Sequence, residues 1–185
     1  MRQDCFIKYY GMTSQLEEPK WHVVYTRARS EKKANERLTK MGITTYLPLH
    51  KVRKQWSDRK KWVHEPLFRS YLFVKITRNE YTEVLMVPGV VKYVYFEGKP
   101  AIVPDKQIED LKRLVEQQIP MQQMSPVVHK GDRVRVIAGP MMDVEGILHD
   151  TQGEKKVIIQ INGLDQALAI TVPLTDIEKV HPAKS

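Results

Sequence analysis

The sequence predicts an α+β domain followed by a small all-β barrel, and three observations carry that expectation. Strand-like and helix-like segments alternate irregularly across residues 20–118, which implies an antiparallel sheet with flanking helices. Residues 119–128 (Ile-Pro-Met-Gln-Gln-Met-Ser-Pro-Val-Val) hold two prolines and no charge, the composition of a linker. Residues 129–185 then contain five short β-rich stretches separated by turn pairs, the pattern of a small barrel.

Each element has its own local signal. Residues 1–19 show no period and end at Glu17-Glu18-Pro19, so they read as a loosely ordered leader. Trp21 to Arg27 is β-branched and aromatic, a strand. Ser30 offers a helix N-cap, Glu31 a first-turn acid, and Ala34, Leu38 and Met41 an apolar stripe at i, i+4 and i+7 that stops at Gly42. Ile43 to Leu49 reads as a strand. Lys51 to Lys61 carries six basic residues and reads as a long, mobile hairpin tip. Leu67 to Ile76 and Val90 to Phe96 read as strands, with a short helix over Glu80 to Met86 stopped before Pro88-Gly89. Pro104 suits the first turn of a helix reaching about Gln118, with Ile108, Leu111, Leu114 and Val115 apolar. In the barrel the expected strands are Arg133–Ile137, Glu145–Asp150, Lys156–Ile161, Leu168–Val172 and Ile177–Val180.

Composition narrows the function. At 42% hydrophobic the chain can bury a core, and it lacks an apolar run long enough to span a bilayer. With an N-terminus free of an apolar signal core and a single cysteine, Cys5, the expected location is cytoplasmic. Net charge is +8, and its placement is uneven: residues 20–75 hold 15 basic and 4 acidic residues, the remainder 15 and 18. A basic segment on a near-neutral body fits an anionic partner, or a face kept soluble by charge. The six histidines stand at 22, 50, 64, 129, 149 and 181, apart from one another and with no cysteine at ligand spacing, so no metal site or other cofactor is expected. Neither a phosphate-cradling glycine loop nor a nucleophile elbow occurs, and nothing selects a catalytic carboxylate pair, so the expectation is a binding protein and not an enzyme.

Two stretches carry a family resemblance. Glu65-Pro-Leu-Phe-Arg-Ser-Tyr-Leu-Phe-Val74 resembles the central strand of the NusG N-terminal domain, in wording nearest to the specialised RfaH/UpxY-like paralogues. Lys130-Gly-Asp-Arg-Val-Arg-Val136 followed by Gly139-Pro-Met-Met-Asp-Val-Glu-Gly146 resembles a KOW motif, the mark of the family's SH3-like C-terminal barrel. Trp21-His-Val-Val-Tyr25, Val87-Pro-Gly-Val90 and Pro100-Ala-Ile-Val-Pro104 also fit, so the similarity spans about residues 20–182. The resemblance implies a transcription elongation and antitermination factor, operon-specific if specialised and housekeeping otherwise. A ribosomal or free RNA-binding KOW protein is the rival from another class. Residues 20–118 then correspond to the polymerase-binding domain and 129–185 to the KOW domain of a monomer with no membrane partner.

The resemblance also implies sites. Alone, the aromatic residues of the Leu67–Ile76 strand read as core. In the family, residues matching Tyr25, Phe68, Tyr71, Phe73, Ile108 and Leu111 line a hydrophobic depression that grips the clamp helices of the largest RNA polymerase subunit. Strand alternation from Leu67 onward would turn Phe68 away from Tyr71 and Phe73 unless a bulge intervenes. Arg27, Lys33, Arg37 and Lys40 form a basic row that reads either as a solvated face or as a track along phosphates. In RfaH-like proteins the matching face touches the non-template DNA strand of the transcription bubble. In housekeeping members an aromatic follows the KOW-loop Gly-Pro and helps bind a ribosomal protein or Rho. Here Met141 stands there, so Met141 and Met142 are the candidate partner-binding residues, with the ribosome or Rho as candidate partners.

RfaH holds its C-terminal domain as a helical hairpin over the polymerase site, and Glu65 matches the residue that ties it down. The local sequence opposes that here. Val157-Ile-Ile-Gln-Ile161 before Asn162-Gly163 is a hairpin signal, and Gly139-Pro140, Gly146 and Pro173 interrupt any long helix. The expectation is a permanently β-folded domain, tethered but not masking.

Overall fold

The computed structural model describes residues 17–55, 60–124, 131–151, 154–161, 164 and 167–180. Most of the expected leader, part of the expected linker, and the tip of the basic hairpin lie outside the described residues. The first domain runs β1 (Lys20–Thr26), α1 (Glu31–Lys40), β2 (Thr44–Tyr46), β3 (Leu49–Gln55), β4 (Lys60–Pro66), β5 (Tyr71–Ile76), α2 (Tyr81–Met86), β6 (Val90–Tyr93), β7 (Tyr95–Phe96), β8 (Lys99–Pro100), β9 (Ile102–Val103) and α3 (Asp105–Glu116). Its sheet has the order β2-β5-β1-β6, with β9 sharing the β6 edge of β1, and all pairings are antiparallel.

The period of two along β1 and β5 separates two cores. Val24, Leu72, Val74 and Ile76 face α1 and α2, where Ala34, Leu38 and Val84 cover them. Trp21, Val23 and Phe73 face the other way, under Ile108, Leu111 and Leu114 of α3. α1 ends as its sequence requires, with Gly42 at φ +84. Ser30 precedes the helix but makes no side-chain cap bond. α3 is pinned over the sheet at its first turn, where Asp105 accepts from Trp21 Nε1 at 3.0 Å and from Lys75 Nζ at 2.8 Å. The Lys75 ammonium holds the Asp105 carboxyl below its ordinary pKa.

Three expectations of the first domain are corrected. The strand expected from Leu67 starts only at Tyr71, because Leu67 to Ser70 form a turn with Ser70 at φ +64. That turn resets the alternation, and Phe68 joins Phe73 in one core, ring centroids 6.2 Å apart. The basic stretch is a regular ribbon, with β3 and β4 paired from Leu49↔Pro66 to Gln55↔Lys60. The strand expected over Ile43 to Leu49 stops at Tyr46, and the chain then passes into β3.

The C-terminal domain is all-β, as expected. It comprises β10 (Met121–Met124), β11 (Arg133–Val136), β12 (Glu145–Thr151), β13 (Glu154–Gln160), β14 (Ala167–Thr171) and β15 (Ile177–Lys179) in the order β10-β14-β13-β12-β11-β15. β10 falls in the expected linker, where its backbone pairs with β14 from Met121↔Ile170 to Met124↔Ala167. Two glycines allow close backbone approach. A Cβ on Gly146 would stand 2.5 Å from the Ile158 carbonyl oxygen, and one on Gly131 2.2 Å from that of Leu148. Asp132, just before β11, pairs with Lys179 of β15 at 2.7 Å.

The domain does not hang free. Its core residues and those of α3 belong to one continuous buried cluster, so α3 lies between the sheet and the C-terminal domain. The domain is β in form, as expected, and it packs against α3 where a freely tethered domain was expected.

Candidate functional site

Tyr25 and Tyr71 are cross-strand partners on β1 and β5, with their rings edge to face at 5.5 Å. Tyr25 is 37% exposed and Tyr71 half-buried. The other four members of the expected apolar set are core: Phe68, Ile108 and Leu111 are 1% exposed and Phe73 is fully buried. The set therefore divides into a two-tyrosine rim and a four-residue interior. Glu31 supports the rim from beneath, because its buried carboxylate accepts from the Ser70 backbone N–H at 2.8 Å where β5 starts.

The outer side of α3 carries Lys106, Asp110 and Arg113, one turn apart. Asp110 is nearly buried and pairs with Lys106 Nζ at 3.0 Å and Arg113 Nη2 at 2.6 Å. Both cations also reach across to the C-terminal domain. Lys106 donates to the Asp143 carbonyl at 3.0 Å and Arg113 to the Met142 carbonyl at 2.7 Å. Gln107 adds a bond to the Gln160 carbonyl at 3.4 Å, beside a cleft of about 510 Å³ between the domains. Met141 is buried in the shared cluster and Met142 is half-exposed. The candidate partner loop is thus held against the candidate polymerase-binding helix. Sequence reading missed this clasp, although charges at i, i+4 and i+7 on one face of α3 were its signal.

Glu65 takes no part in the clasp. It pairs with Lys54 across the β3–β4 ribbon, which lowers its carboxyl pKa.

The basic row is exposed throughout: Arg27, Lys33, Arg37 and Lys40 all face solvent along the end of β1 and α1. Arg37 is partly committed, since it donates to the Pro88 carbonyl. That contact, with Arg27 N–H to the Gly89 carbonyl at 2.9 Å, fixes α1 against the Val87-Pro88-Gly89 turn. Gly89 packs so closely that a Cβ would meet Ser30 Cβ at 3.3 Å, and its φ is +108. Lys32 donates to the His64 carbonyl at 2.8 Å and joins α1 to the ribbon. Among the described residues no cluster of His, Cys, Asp or Glu could hold a metal ion, and no helix is long and apolar enough to cross a membrane.

The family described as "NusG: Transcription termination factor nusG" matches residues 19–112, from β1 into α3. The chain belongs to the NusG family. Its relatives carry the name transcription termination/antitermination protein NusG. The protein from Pseudomonas aeruginosa is 23% identical over 174 residues, covering 87% of this chain and 98% of its own. That from Thermus thermophilus is 28% identical over 167 residues, covering 77% and 90%. That from Haemophilus influenzae is 22% identical over 139 residues, covering 73% and 75%. A solved structure described as "Domain interaction in Thermotoga maritima NusG" has a TM-score of 0.52 and 24% identity, covering 89% of this chain and 98% of that one. The fold is therefore a NusG N-terminal domain followed by an all-β C-terminal domain. The protein is a NusG-family transcription termination/antitermination factor.

Proposed function

We propose that this NusG-family protein is an elongation and antitermination factor that binds the clamp helices of RNA polymerase, suppresses pausing and termination, and acts on particular operons. The observation that carries the reading is the Tyr25–Tyr71 pair, whose rings stand at the surface beside the buried Phe68, Phe73, Ile108 and Leu111. A rigid aromatic rim on an apolar base suits a helical partner, and such anchors dominate interface energies. The exposed row Arg27, Lys33, Arg37 and Lys40 runs along the end of β1 and α1 and suits the non-template strand of the bubble. The strong basic bias of residues 20–75 favours the specialised role over the housekeeping one.

In this reading the structure is a closed form. A partner that uses the outer side of α3 must displace the C-terminal domain, and the same movement frees Met141 and Met142 for a second partner, the ribosome or Rho. Each domain then binds its own machine, and the connecting segment raises the effective concentration of one for the other. The test is retention of core RNA polymerase by the immobilised full chain, followed by transcription across a pause and a terminator. Retention with shortened pauses supports the reading. A chain that co-purifies with ribosomes and ignores polymerase refutes it.

A further inference from the structure

The β3–β4 ribbon extends from the body as a separate two-stranded sheet. Residues opposite one another on an antiparallel ladder share a face. The register Lys51↔His64, Arg53↔Trp62 and Gln55↔Lys60 therefore gathers Lys51, Arg53, Lys60, Trp62 and His64 on one face. All five are exposed and none is acidic. Trp62 is 56% exposed, and the Lys51 ammonium sits over its ring at 5.1 Å. The same face overlooks a cleft of about 710 Å³ between the ribbon and the end of α3. Trp62 and His64 form one wall, and Val115 and Ile119 with Glu116 the other.

We propose that this ribbon and its cleft bind single-stranded nucleic acid, with a base stacked on Trp62 and the neighbouring phosphates held by Lys51, Arg53 and Lys60. The site lies beyond the α1 row of the proposed function and does not depend on polymerase binding. An aromatic ring among cations is the combination that holds unpaired strands, because every base has a π-face and every linkage a negative charge. The Lys51 ammonium is held only weakly over the exposed Trp62 ring, so it can leave the ring to pair with a phosphate and free that face for a base. The cleft has the size of a small-ligand pocket, so it takes one splayed nucleotide and not a helix. Bases within a duplex show a protein only their edges, which leaves Trp62 nothing to stack on.

The experiment is fluorescence anisotropy of labelled oligothymidylate, oligouridylate and a duplex of equal length, titrated with the full chain. Trp62→Ala removes no charge, so binding driven only by the +8 surface would not respond to it. The site predicts about a 10-fold loss on at least one single strand, near-complete retention by Trp62→Phe, and little change on the duplex. Lys51→Ala and Arg53→Ala should each flatten the salt dependence, by about 0.7 per lost phosphate contact. The strand that shows the loss identifies DNA or RNA as the ligand. Unchanged single-strand binding by Trp62→Ala overturns the proposal, as does an equal loss on the duplex. Trp62→Ala should leave clamp-helix binding intact, so this failure is distinguishable from failure of the polymerase reading.

Discussion

Replacing both Lys106 and Arg113 with Ala should open the clasp between α3 and the C-terminal domain. The wild-type contacts are a Lys106 bond to the Asp143 carbonyl at 3.0 Å and an Arg113 bond to the Met142 carbonyl at 2.7 Å. Their side chains are 55% and 36% exposed, so each bond is worth less than a buried charge-assisted one, about 0.5–1 kcal/mol. Asp110 adds to the effect in the same direction. Its side chain is 11% exposed in the closed form, and without both cations it would stand there unpaired and short of water. The combined shift is about 1–2 kcal/mol, or roughly 5- to 30-fold in the ratio of open to closed molecules. Amide exchange reads this directly: α3 and the loop of residues 139–145 should lose protection together, while β1 and β5 keep theirs. The apolar cluster beneath Met141 remains, so the domains should still meet part of the time. Unchanged exchange in both segments would show that the polar clasp does not hold the closed form.

Tyr25→Ala and Tyr71→Ala should each weaken binding to isolated clamp helices by about 2 kcal/mol while the melting temperature stays close to wild type. Phe73→Ala should instead cost about 3–5 kcal/mol of stability, because the ring is fully buried; equal stability in a denaturant titration would contradict its place in the core. Charge reversal of Lys33 and Lys40 should weaken recruitment to paused complexes and flatten its salt dependence, whereas equal recruitment at several salt concentrations leaves the row a solvated face. Gly146→Ala should destabilise the C-terminal domain by about 1–3 kcal/mol, since its Cβ would meet the Ile158 carbonyl oxygen at 2.5 Å; a thermal melt unchanged by the substitution would contradict the close approach.

Local periodicity and turn chemistry were legible in the sequence. Ala34 and Leu38 marked the buried stripe of α1; Gly139 takes a left-handed turn, whereas Gly146 is held by the close approach of the Ile158 backbone, which only the strand pairing reveals. Parity across Leu67 to Ser70 was not legible, because a four-residue turn read as strand reverses the face assigned to Phe68. β10 was hidden for a related reason. Met-Gln-Gln-Met is a poor strand by propensity, and its partner β14 lies more than forty residues away along the chain, so pairing and not composition decides it. The i, i+4, i+7 spacing of Lys106, Asp110 and Arg113 marked a charged face of α3, but which surface meets that face is not specified by any local pattern. The six apolar candidates came from the family resemblance, and their division into an exposed tyrosine pair and a buried interior needed the packing.

Amide exchange on the full chain with and without core RNA polymerase tests the central claim most directly. The account predicts new protection at Tyr25, Tyr71 and α3 in the complex, together with loss of protection in residues 139–145 as the C-terminal domain leaves α3. Protection confined to other surfaces, or an unchanged pattern at saturating polymerase, would contradict it.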